Sequence, residues 1–397
     1  MTRLRHGEKR LSKINLTGKK VAIIGGGPAG MTAAYYLAKK GYETEVYERR
    51  ARAGGMLSYG IPKYRLPQYI VDNEIEILKE IGGIKVYTNS NIKSVDDLKG
   101  KNYDAILIAI GATRGKRPPA YNKQWKNALD AVDFCKMACE GLTPKLGDTV
   151  TVYGGGNVGF DCARTAKKMG VGTVRIVCME ARDKMLADPE EINSALEENI
   201  EILTSRVITN IEESGDAVKS LSLSSIKSFK FTENGLELDM EENSAMTLTT
   251  DTLIFATGQQ PELDDSFGIE LVKSSFAKVD GMMKTNREGV FAAGDVIYGT
   301  KSVVDAIASG RQAAINIDKY LGGDGNIEET LFEREKLNPR IGTIDGFSKL
   351  ARIDHFKNAC DANAESIRCL QCDLRLDIQK VKYWVDAHFK SVKGVIK

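Results

Sequence analysis

Two glycine-rich turns of one form, GGGPAG and GGGNVG, stand about one domain length apart in a chain of 397 residues. Each lies between a short apolar run and a helical run, and a second apolar run follows. The first copy reads KVAIIG, then GGGPAG, then MTAAYYLAKK with a stop at Gly41, then ETEVYE. The second reads TVTVYG, GGGNVG, VGFDCARTAKKM with a stop at Gly170, then TVRIVCM. This is a β-α-β unit written twice. It predicts an α/β fold of parallel sheets with two Rossmann-like dinucleotide-binding domains. The length agrees, because 397 residues exceed what one core holds.

In the first turn, Gly25 permits the tight bend, Gly27 lets a pyrophosphate reach the backbone, and Gly30 lets the helix pack on the strand. Pro28 and Ala29 open the helix, whose free N–H groups and positive end favour phosphate. The second strand ends on Glu48, followed by Arg49. A carboxylate there accepts hydrogen bonds from both hydroxyls of an adenosine ribose. In the second turn Gly154, Gly156 and Gly159 repeat the pattern, with Asn157 and Val158 at the helix start. Glu180 falls where the second ribose-binding acid belongs. It suits a free 2′-hydroxyl and repels a 2′-phosphate, which leans the reading slightly to NADH. Arg182 and Lys184 are close by and could still hold a phosphate.

Elsewhere the patterns predict a helix over residues 68–81, a strand over 84–88 and a buried strand DAILIAIG ending at Gly111. Residues 219–249 alternate and suggest a β-meander. DTLIFATG and GVFAAGDV read as further buried strands, the latter leading into a helix, VVDAIASGRQAAINIDKYL. Gly322–Gly325 reads as a linker. Asp295, delivered at the end of GVFAAGDV, could bind a distant part of the first ligand, such as a ribityl hydroxyl. A ligand contacted from both ends of the chain is long, as FAD is. The expected partition is a basic arm over 1–17, an FAD domain over 18–146 and 259–325, an NAD(P)H domain over 147–258 inserted into it, and an extension over 326–397.

Composition excludes other classes. A net charge of +2 gives no support to nucleic-acid or anionic-membrane binding. No apolar stretch reaches about 18 residues, so no membrane span is expected. The start MTRLRHGEKRLSK has no apolar core of a secretory signal, and a cytoplasmic location is expected by default. Histidine occurs only at His6, His355 and His388. The body must therefore work without a histidine acid or base, as hydride transfer between two cofactors does.

At this point the chain resembles a known family, the two-dinucleotide flavoproteins, and within it the glutamate synthase small subunit group. The resemblance covers residues 18–321 through GGGPAGMTAAYYLAKKG, GGMLSYGIPKYRLP, GGGNVGFDCART, ATGQQP and GVFAAGDV with AIASGRQAA. It implies FAD and NAD(P)H as cofactors. It places Gly55, Met56, Leu57, Tyr59, Gly60, Ile61 and Arg65 around the flavin ring. Ala109, Gly111, Ala256, Thr257, Gly258, Gly294, Val303 and Ala306 complete the expected cofactor contacts. It also implies a hetero-oligomeric enzyme in which hydride exchange with NAD(P)H feeds electrons to iron–sulfur partner subunits, with electron bifurcation in some relatives. Three departures stand out. Only a basic arm of about 20 residues precedes the flavin turn, where the family usually carries a cysteine-rich iron–sulfur domain. Met179 and Glu180 occupy the places of the paired arginines that hold the phosphate of NADPH. The tail carries IRCLQCDLRLDI, which resembles an extension found on subunits of electron-transfer enzymes.

There are seven cysteines. Cys360, Cys369 and Cys372 have the spacing of an iron–sulfur or zinc site, with His355 or a partner residue as fourth ligand, or are free thiols on a docking surface. Cys135 and Cys139 share a face of a helix expected over NALDAVDFCKMAC, as core residues or a redox pair; Cys162 and Cys178 read as core. The final QKVKYWVDAHFKSV, with Trp384 and Phe389, reads as a capping or docking helix. Two further readings stay open: a stand-alone NAD(P)H reductase of a small acceptor, and a flavoprotein kept as a structural subunit.

Overall fold

The computed structural model describes residues 16–80, 82–232, 235–273 and 275–327. The expectations for Cys360, Cys369, Cys372, His355, Trp384, Phe389 and most of the basic arm lie outside the described residues.

The first sheet has five parallel strands in the order Val290–Ala292, Ala105–Ile108, Lys20–Ile24, Glu43–Tyr47, Ile84–Tyr87. Lys20–Ile24 reads as an apolar run rather than an alternation because both faces of the sheet are covered. On one face Pro28–Lys39 and Val303–Tyr320 bury Val21, Ile23, Leu107 and Phe291. On the other, Ala22, Ile24 and Ile108 pack against Leu263, Phe267 and Ile269. The helix Pro28–Lys39 starts where the turn predicts, with Gly27 extended and Pro28 in its first turn. The two helices cross so closely that a Cβ on Gly310 would stand 2.1 Å from the Ala29 carbonyl oxygen.

The second sheet repeats the plan in the order Ala128–Asp130, Thr252–Phe255, Thr149–Tyr153, Thr173–Val177, Glu201–Leu203, again all parallel. Its edge strand corrects the helix expected over NALDAVDFCKMAC. Residues 128–130 form a strand paired with Leu253–Phe255, and the helix begins only at Ala131. The ladder bonds of a buried edge outweigh the local helical pattern. The sheet therefore draws on residues 128–130, ahead of its own glycine turn.

The expected meander is a branched sheet. The 16-residue strand Ala217–Thr232 pairs over its first half with both Arg206–Ser214 and Met246–Thr249, and over its second with Gly235–Met240. Alternation marks a strand but does not name its partners. This sheet covers the second parallel sheet through Leu221, Leu223, Val177 and Phe255.

The chain passes from the first sheet to the second through Arg114–Gly115 and returns through Gln259–Gln260, and these two segments pair antiparallel. The expected linker at Gly322–Gly325 is a turn wrapped on Asp318. The Gly325 N–H donates to the Asp318 carboxylate at 2.7 Å, and Tyr42 Oη donates to it at 2.8 Å. Among the described residues no helix is long and apolar enough to cross a membrane.

Because the crossing at Ala29 leaves no room, Gly310→Ala is expected to destabilise the protein by about 1–3 kcal/mol through overpacking. Thermal unfolding measures it; an unchanged Tm contradicts the packing described.

Candidate functional site

A cavity of about 390 Å³ opens at the carboxyl ends of the first sheet's strands. Ile24, Glu48, Ala109 and Asp295 line it, each at or just beyond a strand end. This is where open parallel sheets bind ligands. The N-termini of three long helices also face it: Pro28–Ala29, Asn157–Val158 and Ser302–Val303. Three partial positive charges thus converge on one space.

The two glycine turns are stereochemical copies. A Cβ on Gly30 would meet the Gly25 oxygen at 2.0 Å, and one on Gly159 the Gly154 oxygen at 2.1 Å. A Cβ on Gly25 would meet the Ala109 oxygen at 2.3 Å, and one on Gly154 the Ala256 oxygen at 2.3 Å. The acids match as well. Glu48 Oε2 lies 3.2 Å from the Cβ position of Gly26, and Glu180 Oε2 lies 3.3 Å from that of Gly155. Glu48 is buried and accepts from the N–H groups of Gly26, at 3.0 Å, and Arg50, at 2.9 Å.

Most residues expected around the cofactors meet at this cavity: Gly25, Gly27, Pro28, Ala29, Glu48 and Arg49; then Gly55, Met56, Gly60, Ile61 and Arg65; then Ala109, Gly111, Asn157 and Val158; and finally Gly294, Asp295, Val303 and Ala306. Others stand away from it. Tyr59 is buried, and its hydroxyl accepts from the Arg52 N–H at 2.9 Å. Leu57 is half-buried beside it. Gly30, Gly154, Gly156 and Gly159 shape the turns from outside the cavity. Thr257 and Gly258 bond to Lys116 in the crossover between the sheets, next to Ala256. Glu180 is half-buried and Arg182 exposed, both beyond the cavity wall.

The charged groups are strongly coupled. Arg49 forms a two-pronged pair with Glu262, both contacts 2.7 Å, and holds its carboxyl down at about 2. Arg49 is thus engaged by protein on the cavity rim. Burial pushes the Asp295 carboxyl up to about 6, against the pull of the Lys301 backbone N–H.

Sequence reasoning missed several lining residues, among them Asn91, Val132, Cys135, Asp161, Lys301 and Ser302. Asp161 was within reach, since it sits one helical turn after Asn157 on the same face. The others come from segments without a motif. The structure also re-pairs the cysteines. Cys135 Sγ lies 3.5 Å from Cys162 Sγ, while Cys139 Sγ donates to the Ile61 carbonyl at 3.4 Å. Cys135 and Cys139 are both buried, as the core reading has it; the alternative of a redox pair is not formed, because their helix turns each thiol to a different neighbour.

Residues 19–310 match the family described as pyridine nucleotide-disulphide oxidoreductase. The chain belongs to that family. It is 35% identical over 314 residues to the NADP(+)-dependent formate dehydrogenase subunit beta of Moorella thermoacetica, covering 77% of this chain and 44% of that protein. It is 31% identical over 332 residues to the glutamate synthase (NADPH) small chain of Azospirillum brasilense, covering 76% of this chain and 67% of that one. The second match places it in the glutamate synthase small chain group, as the resemblance implied. The chain spans less than half the length of the formate dehydrogenase subunit. Among solved structures, Mycobacterium tuberculosis FprA in complex with NADPH has a TM-score of 0.65 at 14% identity, covering 88% of this chain and 90% of that one, a likeness of fold.

Burial pushes the thiols of Cys139 and Cys178 up, to about 11 and about 12. Neither is a thiolate at neutral pH. Alkylation of the folded protein at neutral pH, followed by peptide mapping, is expected to leave Cys139, Cys162 and Cys178 unmodified. Rapid labelling of any of them contradicts the burial described.

Proposed function

We propose that this chain is an FAD-dependent oxidoreductase subunit that exchanges hydride with a nicotinamide dinucleotide and passes electrons to iron–sulfur partner subunits. One observation carries the reading: the N-termini of Pro28–Lys39 and Asn157–Lys168, each following its own dinucleotide turn, line a single cavity. The residues present fit the cofactor. Gly27, Pro28 and Ala29 present a helix N-terminus to the cavity for a pyrophosphate, and the Asp295 carboxylate lines the same space. When bound, FAD supplies a ring that takes a hydride from a reduced nicotinamide and releases electrons one at a time.

The chain's own residues bind and orient. Gly27, Pro28 and Ala29 hold the flavin pyrophosphate, Glu48 the adenosine ribose and Asp295 the ribityl chain. Met56, Gly60 and Ile61 shut water away from the ring. Gly154, Gly156, Asn157, Val158 and Gly159 receive the second pyrophosphate. Glu180 receives its ribose, which favours NADH even though the named relatives are described with NADP(+) or NADPH. In this reading the FAD part is built on the first sheet and the NAD(P)H part on the second, with Ala128–Asp130 included in the latter. Several relatives are named as subunits or small chains, which supports a hetero-oligomer. Cys360, Cys369 and Cys372 are the candidate ligands of a cluster or zinc ion. Bifurcation between two acceptors is the finer form of the same proposal.

Anaerobic addition of NADH to the purified yellow protein tests it. Loss of the flavin's visible absorption in proportion to NADH is expected; a protein without flavin, or a flavin that NADH leaves oxidised, overturns it. Gly30→Ala is expected to lose most of its bound FAD, measured as flavin per chain. Glu180→Ala is expected to raise KM for NADH about tenfold with little change in kcat, since a hydrogen bond to a charged group is worth about 1.5 kcal/mol or more. Steady-state kinetics with both nucleotides checks it, and an unchanged ratio of NADH to NADPH use refutes the role of Glu180.

A further inference from the structure

Beside the cavity, a plug from the first unit enters a charged socket in the second. The plug is Tyr64 and Arg65; the socket is formed by Asn157–Lys168 and Pro189–Glu197. Arg65 Nη1 donates to both oxygens of Asp161, at 2.8 and 3.0 Å, and its Nε lies 3.1 Å from Glu191. The other Glu191 oxygen accepts from Arg164 at 2.6 Å, and Arg164 also reaches Glu198 at 2.9 Å. The Arg164 and Lys168 cations lie 5.2 and 4.8 Å from the Tyr64 ring centre. The Asp161 side chain is only 9% exposed.

We propose that Asp161 and Glu191 are positioning residues for hydride exchange: by gripping Arg65 they fix the flavin-facing segment against the nucleotide-binding helix. The inference rests on the reading that both dinucleotides share this cavity. Its placement is specific. Arg65 follows Met56, Gly60 and Ile61 on a short segment whose residues line the cavity, and Asp161 lies one turn beyond Asn157, at the mouth of the second turn. Few other polar links join the two units here. One is the short ladder between Arg114–Gly115 and Gln259–Gln260, and another is the Cys139 contact to Ile61. A buried ion pair brings little net stability, because desolvation offsets attraction, whereas it fixes one arrangement of its partners. Hydride transfer rewards that, since a misplacement of about 1 Å costs up to roughly 100-fold in rate.

The grip also carries a proton switch. Burial is the largest influence on Asp161 and pushes its carboxyl up to about 6. Arg65 and Arg164 pull it down, and Glu191 pushes it further up. Tyr64, Cys162 and Cys139 are the other titratable groups that feel its charge. Above pH of about 6 the carboxylate is ionised and holds Arg65; below it the added proton removes the charge and loosens the grip.

Rapid mixing of the FAD-loaded protein with NADH tests this across pH. Asp161→Asn and Glu191→Gln are compared with the unsubstituted chain. Each variant is expected to slow the limiting rate of flavin reduction by roughly 10- to 100-fold, with unchanged FAD content and unchanged half-saturating NADH. In the unsubstituted chain the limiting rate is expected to fall as pH drops through about 6. Asp161→Asn removes that fall, and Glu191→Gln moves it to lower pH. Should Asp161→Asn fail to fold, Glu191→Gln and its shifted acid limb decide alone. Limiting rates and pH profiles equal to those of the unsubstituted chain overturn the proposal. Failure of NADH to reduce the unsubstituted protein is a failure of the underlying functional reading and is visible before any variant is made.

Discussion

The closeness of two helices to the strands that precede them governs the rest of the structure. At Gly30 and at Gly159 the helix backbone rests directly on the carbonyl of the turn's first glycine, where no side chain fits. The N-terminus of each helix lines the cavity at the strand ends. The positive ends of Pro28–Lys39 and Asn157–Lys168 then reach a common space, a setting that favours negative charge.

Everything around the cavity serves that arrangement. The returning helix Val303–Tyr320 lies on Ala29 and brings a third N-terminus, while the strand Val290–Ala292 delivers Asp295 from the far end of the chain. The crossing ladder at Arg114–Gly115 and Gln259–Gln260 keeps the two sheets in one body, and the Arg65 socket joins them again beside the cavity. Links of backbone at one side and of charge at the other join the parts built on the two parallel sheets around the cavity.

Much of this was legible in the sequence. Both β-α-β units, the glycine geometry and the acids Glu48 and Glu180 follow from local pattern, because a turn of six residues encodes its own stereochemistry. What failed depended on pairing between distant segments. Residues 128–130 look helical from their neighbours but are taken as a sheet edge by Leu253–Phe255. Cys135 and Cys139 are core residues as expected, but the contact of Cys135 with Cys162 on another helix leaves no local signal. The place of Asp161 on the cavity face could be read from Asn157, but its contact with Arg65, remote in sequence, could not. The resemblance supplied the flavin-facing segment, yet Tyr59 within it turns inward to Arg52.

The most direct measurement is a crystal structure of the protein soaked with FAD and a nicotinamide dinucleotide. One pyrophosphate is expected at Pro28–Ala29, the other at Asn157–Val158, with the two rings in contact within the one cavity. Rings lodged in separate spaces, or a dinucleotide bound away from either turn, would contradict it.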